Sequence, residues 1–162
     1  MSDTDESNHP IKPKDAREQA TEYLGFMGSV TYDLGDDETF ELPNPQLMDP
    51  DMETRYNEYL RFVSEDLDTV EQKNPITGET KNVPKYPLRY EGKLINDKEL
   101  LCIALMGTDA EADREAYFKD GTKPKNYARF LAAGGVPGQI QTAWQMMERQ
   151  LRERVKQDSK SS

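Results

Sequence analysis

The sequence predicts a mainly α fold: a small bundle of short helices, with an extended or irregular N-terminal region and disordered termini. Three observations predict it. Apolar residues recur at helical spacing along two stretches, 52 to 67 and 140 to 155. Between 97 and 138, capping residues and glycines cut the chain into short helical pieces. The remainder is polar: of 162 residues, 35% are hydrophobic and 32% charged, and the mean hydropathy is -0.93. Only part of such a chain can be core, and its length suits one domain, or a small domain with tails.

Residues 1 to 31 read as a flexible N-terminal arm. Residues 1 to 14 hold two prolines and no apolar periodicity, while Asp15 to Phe26 suits a short helix with Ala16, Ala20, Tyr23 and Leu24 near one face. From Gly28 to Pro45, β-branched and aromatic residues interrupted by glycines and acids suit short extended structure ending in a proline turn. Residues 32 to 68 form an acidic segment with an amphipathic helix. Asp49 is its N-cap and Pro50 its first residue. Met52, Tyr56, Tyr59, Leu60, Val63 and Leu67 make its apolar stripe, with Glu53, Arg55, Asn57, Glu58 and Arg61 facing elsewhere.

Residues 69 to 96 read as a Pro/Gly-rich linker with room for a loose hairpin, since Asn74-Pro75, Thr77-Gly78, Pro84, Pro87 and Glu91-Gly92 punctuate it too often for a helix. Residues 97 to 155 form a C-terminal helical module. Asp97 is expected to cap its first helix, and Gly107 to end it in a left-handed conformation. Thr108 and Glu111 have capping-box spacing for a second helix, Asp109 to about Phe118, closed by Asp120-Gly121. Pro124 opens a third, with Tyr127, Phe130 and Leu131 as its apolar face and Gly134-Gly135 as its end. The fourth starts near Gly138, and Ile140, Trp144, Met147, Leu151 and Val155 form a narrow seam suited to another helix. Residues 156 to 162 read as a frayed tail.

The net charge of -10 is placed unevenly. Residues 32 to 68 hold twelve acids and two bases, residues 1 to 31 six acids and three bases, and residues 69 to 162 thirteen acids and sixteen bases. With pI near 4.7 and its longest basic run, Arg149, Arg152, Arg154 and Lys156, explained as charge at a helix C-terminus, the chain is not expected to bind nucleic acid. No stretch reaches the roughly 18 apolar residues of a membrane span, and the N-terminus lacks the pattern of a signal peptide. No membrane partner is expected, and the protein should stay where it is made. A single cysteine, Cys102, and a single histidine, His9, argue against disulfides, metal sites and thiol-histidine chemistry.

No nucleotide-binding, hydrolase, zinc or calcium-loop motif occurs, so no catalytic residue, metal ligand or cofactor is assigned. Cys102, between Leu101 and Ile103, reads as a small buried hydrophobe. The apolar residues of the last two helices admit two readings, core or partner-binding stripe. On the second, Tyr127, Phe130, Ile140, Trp144, Met147 and Leu151 are the candidate partner-binding residues, because Trp and Met are favoured interface anchors.

Four segments carry a resemblance. They are Phe40 to Asp49 (FELPNPQLMD) before a tyrosine-rich helix, Tyr86 to Gly107 (YPLRYEGKLINDKELLCIALMG), Tyr127 to Gly135 (YARFLAAGG) and Trp144 to Leu151 (WQMMERQL). In this order the chain resembles the tail assembly chaperones of long-tailed phages of actinobacteria. The resemblance implies a non-enzymatic protein of the infected bacterial cytoplasm. It would bind the tape measure protein while tail tube subunits polymerise, with the tail tube protein and self-association as further contacts. It also implies that ribosomal frameshifting commonly supplies a C-terminally extended form. Two other classes share the size and acidity: a structural virion subunit, such as a tail-completion or head-tail connector protein, and an acidic inhibitor of a host enzyme.

Overall fold

The structure, a computed structural model, describes residues 10 to 24 and 28 to 161, without the side chains at 17, 20, 21, 23, 24 and 158 to 161. Residues 1 to 9 of the expected arm, with His9, lie outside the described residues, as do residues 25 to 27, Phe26 among them, and Ser162. Among the described residues there are six α-helices and three two-stranded antiparallel hairpins. In chain order they are α1 (Pro13–Leu24), β1 (Ser29–Gly35), β2 (Glu38–Pro43), α2 (Pro50–Glu65), β3 (Thr69–Lys73), β4 (Thr80–Pro84), β5 (Arg89–Tyr90), β6 (Lys93–Leu94), α3 (Asp97–Met106), α4 (Ala110–Asp120), α5 (Lys125–Ala132) and α6 (Pro137–Ser161). The fold is mainly helical, but it is not a bundle of helices alone.

The first departure is at the N-terminal boundary. Residues 28 to 31, expected in the arm, open a hairpin that runs through the division at 31/32, with β1 and β2 paired from Ser29↔Pro43 to Gly35↔Glu38. Gly35, Asp36 and Asp37 turn the chain with positive φ of 86°, 53° and 61°, which Gly and Asp tolerate best. Leu34, Phe40 and Leu42 of this hairpin enter the core. Tyr32 meets Phe130 edge to face at 5.3 Å, and Glu38 pairs with Arg129, so the hairpin is fastened to α5.

The centre of the fold is α3, where every residue from Leu100 to Met106 is buried. A helix apolar on all sides must be surrounded, and α2, α4, α5 and α6 all pack against it. Cys102 is fully covered, as a small core hydrophobe should be.

Helix ends follow local chemistry, with one-residue shifts. Asp49 caps α2 as expected, accepting from Met52 N at 2.8 Å, with Pro50 at the first position. For α3 the cap is Asn96, not Asp97: its Oδ1 accepts from Glu99 N at 3.2 Å. For α4 the cap is Asp109, not Thr108, accepting from Ala112 N at 3.0 Å. The reciprocal part expected of Glu111 falls to Asp113, whose Oδ2 accepts from Thr108 N and Asp109 N at 2.9 and 3.1 Å. Pro124 precedes α5 rather than opening it. Gly121 and Gly134 are left-handed, with φ of 79° and 98°, and they follow α4 and α5.

Gly107 is the exception. Its φ of -91° and ψ of -167° are extended, not left-handed. The free carbonyls at the end of α3 are met from across the core instead. Arg55 Nε donates to Ala104 O at 2.8 Å and Arg55 Nη2 to Leu105 O at 3.4 Å. Arg55, expected on the polar face of α2, therefore points inward. Gly107 is required by space, because a Cβ there would run into the Ile103 carbonyl and the Asp113 carboxylate. Arg55→Ala should lower stability by about 1.5 to 3 kcal/mol, the range for a lost hydrogen bond from a charged donor to buried acceptors. Urea unfolding measures this, and Arg55→Lys, lacking the planar fork, should recover only part of it.

The apolar face of α2 follows the expected stripe, with Tyr56, Tyr59 and Val63 partly buried against the core, except that Phe62 joins it and Leu60 leaves it. Met52 and Phe62 are buried, as is Leu67 just beyond the helix, while Leu60 is 45% exposed. Phe62 packs on Tyr90 and Phe118 with ring centroids at 5.0 and 5.9 Å, under the Arg114 guanidinium at 4.4 Å.

The expected linker, 69 to 96, is two hairpins, β3–β4 and β5–β6. Asp68 ties them together, its carboxylate accepting from Glu91 N at 3.0 Å and Gly92 N at 2.8 Å. At the other end α6 continues to Ser161, through the residues expected to fray. Arg, Glu, Lys and Gln are good helix formers, and basic side chains favour a helix C-terminus.

Candidate partner-binding surfaces

Five of the six expected partner-binding residues lie in the core. Tyr127 and Ile140 are 0% exposed, Trp144 2%, and Phe130 and Met147 3%. They are covered by this chain's own elements: Phe130 by Tyr32, and Trp144 by Tyr56, edge to face at 5.3 Å. Gly135 lies so close to the Phe130 ring that a Cβ would overlap it. An apolar stripe covered in this way holds the fold together. The sixth residue, Leu151, is only half-buried.

The seam of α6 is thus divided along its length. Ile140, Trp144 and Met147 pack where α6 crosses α3. Leu151 continues the seam half-covered, and Val155 is 57% exposed. Around them Arg149, Arg152, Glu153, Lys156 and Gln157 face solvent. A 25-residue helix is roughly 37 Å long, and residues 149 to 157 form on it an amphipathic, basic surface that the rest of the described chain leaves largely uncovered.

At the start of α3 lies a hydrogen-bonded set that sequence spacing did not single out among 31 acids. Glu99, at the start of α3, accepts from Tyr117 Oη and Tyr127 Oη, each at 2.7 Å. Two positions earlier in the same turn, Asp97 accepts from Tyr59 Oη at 2.5 Å. Two carboxylates thereby bind α3 to α2, α4 and α5. Burial pushes all three phenols well above the ordinary tyrosine value, and the carboxylate each one meets adds to the shift. The only available signal was an acid at the head of a continuous apolar run, ELLCIALM, which must reach buried donors if its helix is enclosed.

An open groove between α2 and the start of α4 is lined by Asp51, Thr54, Glu58, Arg61, Asp109, Glu111 and Arg114. Its central charges are paired. Glu58 bonds Arg61 at 2.6 Å and Arg114 at 3.4 Å, and Arg61 also reaches Asp66 at 2.9 Å. The Arg61 guanidinium hydrogen-bonded to Glu58 holds that carboxyl below its usual value. These side chains staple α2 to α4. Among the described residues no group of three His, Cys, Asp or Glu side chains is arranged to hold a metal ion, and no helix is long and apolar enough to cross a membrane.

No protein family model matches the chain, and comparison with curated proteins and with solved structures finds no match.

Proposed function

We propose that this protein is a tail assembly chaperone of a long-tailed bacteriophage, binding the tape measure protein in the cytoplasm of the infected host while the tail is built. The observation that carries the reading is the divided seam of α6. One helix anchors itself in the core through Ile140, Trp144 and Met147, then extends the same apolar line outward through Leu151 and Val155. A helix-binding protein uses such a surface, offering anchors at helical spacing on a rigid element. The acidic composition of 32 to 68, twelve acids against two bases, supports the reading too, since it keeps a protein with an apolar client in solution. The order of the four sequence segments points the same way.

A tape measure protein presents apolar stripes over a great length, so recognition has to be repetitive and of modest affinity at each site. Two half-exposed aliphatic side chains yield only a few kcal/mol, roughly, before association costs are subtracted. Occupancy by many copies supplies the rest. Co-expression with the tape measure protein of the same genome, followed by mass measurement of the soluble complex, tests this. Many copies per client chain are expected, with a marked loss for Leu151→Asp combined with Val155→Asp. A tape measure protein equally soluble without this chain, and no complex at low or high salt, would sink the proposal. Stoichiometric recovery of the chain in purified particles would favour a structural virion subunit instead.

A further inference from the structure

The β3–β4 hairpin is built like a contact that has no counterpart among the described residues. Every residue from 69 to 82 is exposed, Val70 by 43% and Ile76, at the tip, by 92%. A two-stranded hairpin covering so little gains almost nothing from apolar burial and is marginal by itself. Its base is nevertheless fixed, through Asp68, to the β5–β6 turn.

The two edges of this hairpin differ. Lys85 N donates to Asp68 O at 3.0 Å at one end, and Asn74 N donates to Glu79 O at 2.7 Å at the other. Both bonds lie in the register of the strand pairing, Thr69↔Pro84 to Lys73↔Thr80. In an antiparallel ladder bonded pairs alternate, so Val70 and Gln72 bond to β4 while Thr69, Glu71 and Lys73 turn their N–H and C=O groups outward. On β4 the outward positions are Thr80, Asn82 and Pro84. Proline has no N–H to offer, so the β4 edge is blunted and the β3 edge is open.

The open edge complements itself. Two β3 strands laid antiparallel about Gln72 bring the outward amides of Glu71 and Lys73 together with those of Lys73 and Glu71 in the second copy. The same register sets a carboxylate opposite an ammonium twice. Moving the register by two residues, the smallest step that keeps each side chain on its face, sets Glu71 against Glu71 or Lys73 against Lys73, which is unfavourable. We infer that the β3 edge is a self-association site whose occupant is a second copy of this chain, forming a four-stranded sheet across a two-fold axis. Five-residue strands bury far less than the roughly 1,200 Å² of a stable stand-alone interface. The contact is therefore weak and acts where copies are already crowded together. It does not depend on the client proposed above.

Sedimentation of the full chain up to about 1 mM, the concentration at which a millimolar association becomes visible, tests the inference. Wild-type protein should show reversible dimers. Glu71→Lys and Lys73→Glu should each weaken dimerisation about tenfold or more, by turning two attractive pairs into two repulsive ones. An equimolar mixture of the two variants should dimerise again, as should the double variant Glu71→Lys with Lys73→Glu. Glu71→Pro removes an outward N–H and leaves the β3–β4 ladder intact, so it should abolish dimers without moving the thermal midpoint. Monomers at all concentrations, charge variants that dimerise like wild type, or a mixture that fails to regain association would overturn the inference, the first even if the edge proved to bind a client strand.

Discussion

Trp144→Ala is expected to destabilise the protein by about 3 to 5 kcal/mol, the range for removing a buried Trp. The indole is 2% exposed, and a Trp side chain buries up to about 250 Å², which at about 25 cal/mol per Å² is a transfer contribution of up to roughly 6 kcal/mol. It sits between Ile140 and Met147 on α6 and stands edge to face on Tyr56 of α2 at 5.3 Å. The cavity left behind would lie where α6 meets both α2 and α3. Domains of this size hold about 5 to 15 kcal/mol in all, so roughly a fifth of the stability or more should vanish, with a fall in Tm of about 6 to 20 °C. Val155→Ala, on the same seam but 57% exposed, should cost less than about 1 kcal/mol. Denaturant unfolding of the two variants side by side is the measurement. Equal, small effects would mean that α6 does not dock through Trp144.

That contrast shows where the sequence was readable. Features decided within one turn of chain were legible: the Asp49-Pro50 start of α2, the Gly121 stop of α4, and the apolar run that makes α3 central. Errors of one residue, Asn96 for Asp97 and Asp109 for Thr108, arose because two adjacent residues of each pair can both cap. The seam of α6 was visible, but its division was not. Periodicity along one helix tells which residues share a face, and only the position of α3 tells where the cover stops.

Long-range partners left no local trace. Arg55 reads as a surface residue until the end of α3 is seen to need its guanidinium, and Phe62 reads as off-stripe until Tyr90 and Phe118 surround it. The hairpins of 69 to 96 escaped for another reason. β3 and β4 face solvent on both sides, so they lack the apolar alternation by which a half-buried strand announces itself. Their prolines sit where strands tolerate them, in the turn at Pro75 and on the outward edge at Pro84.

Alkaline pH should unfold this protein far more readily than its neutral stability suggests. Burial, with the Glu99 charge as a smaller cause, pushes the Cys102 thiol from an ordinary value of 9.0 up to about 12. Burial likewise raises Tyr127, which is 0% exposed, and its hydrogen bond to Glu99 adds to the effect, since an ionised phenol there would face a carboxylate. Tyr59 and Tyr117 move in the same direction. In each case the folded state holds its proton above the pH at which the unfolded chain releases it. The stability these groups contribute is therefore complete below about pH 9 for the thiol and about pH 10 for the phenols, and it is lost as pH rises toward the folded values. Each covered group costs on the order of 1 kcal/mol per pH unit across its window. By pH 11, Cys102 and Tyr127 together should remove a few kcal/mol, roughly, with the other two tyrosines adding to the loss. Urea midpoints between pH 7 and 11 measure the profile, which should be level to about pH 9 and then fall with increasing slope. Cys102→Ala should delay the onset of the fall. Tyr127→Phe should start lower, having lost the bond to Glu99, and then decline less steeply above pH 10. A midpoint that stays level between pH 9.5 and 11 would mean that the thiol and phenols are not enclosed, and would remove α3 from the centre of the fold.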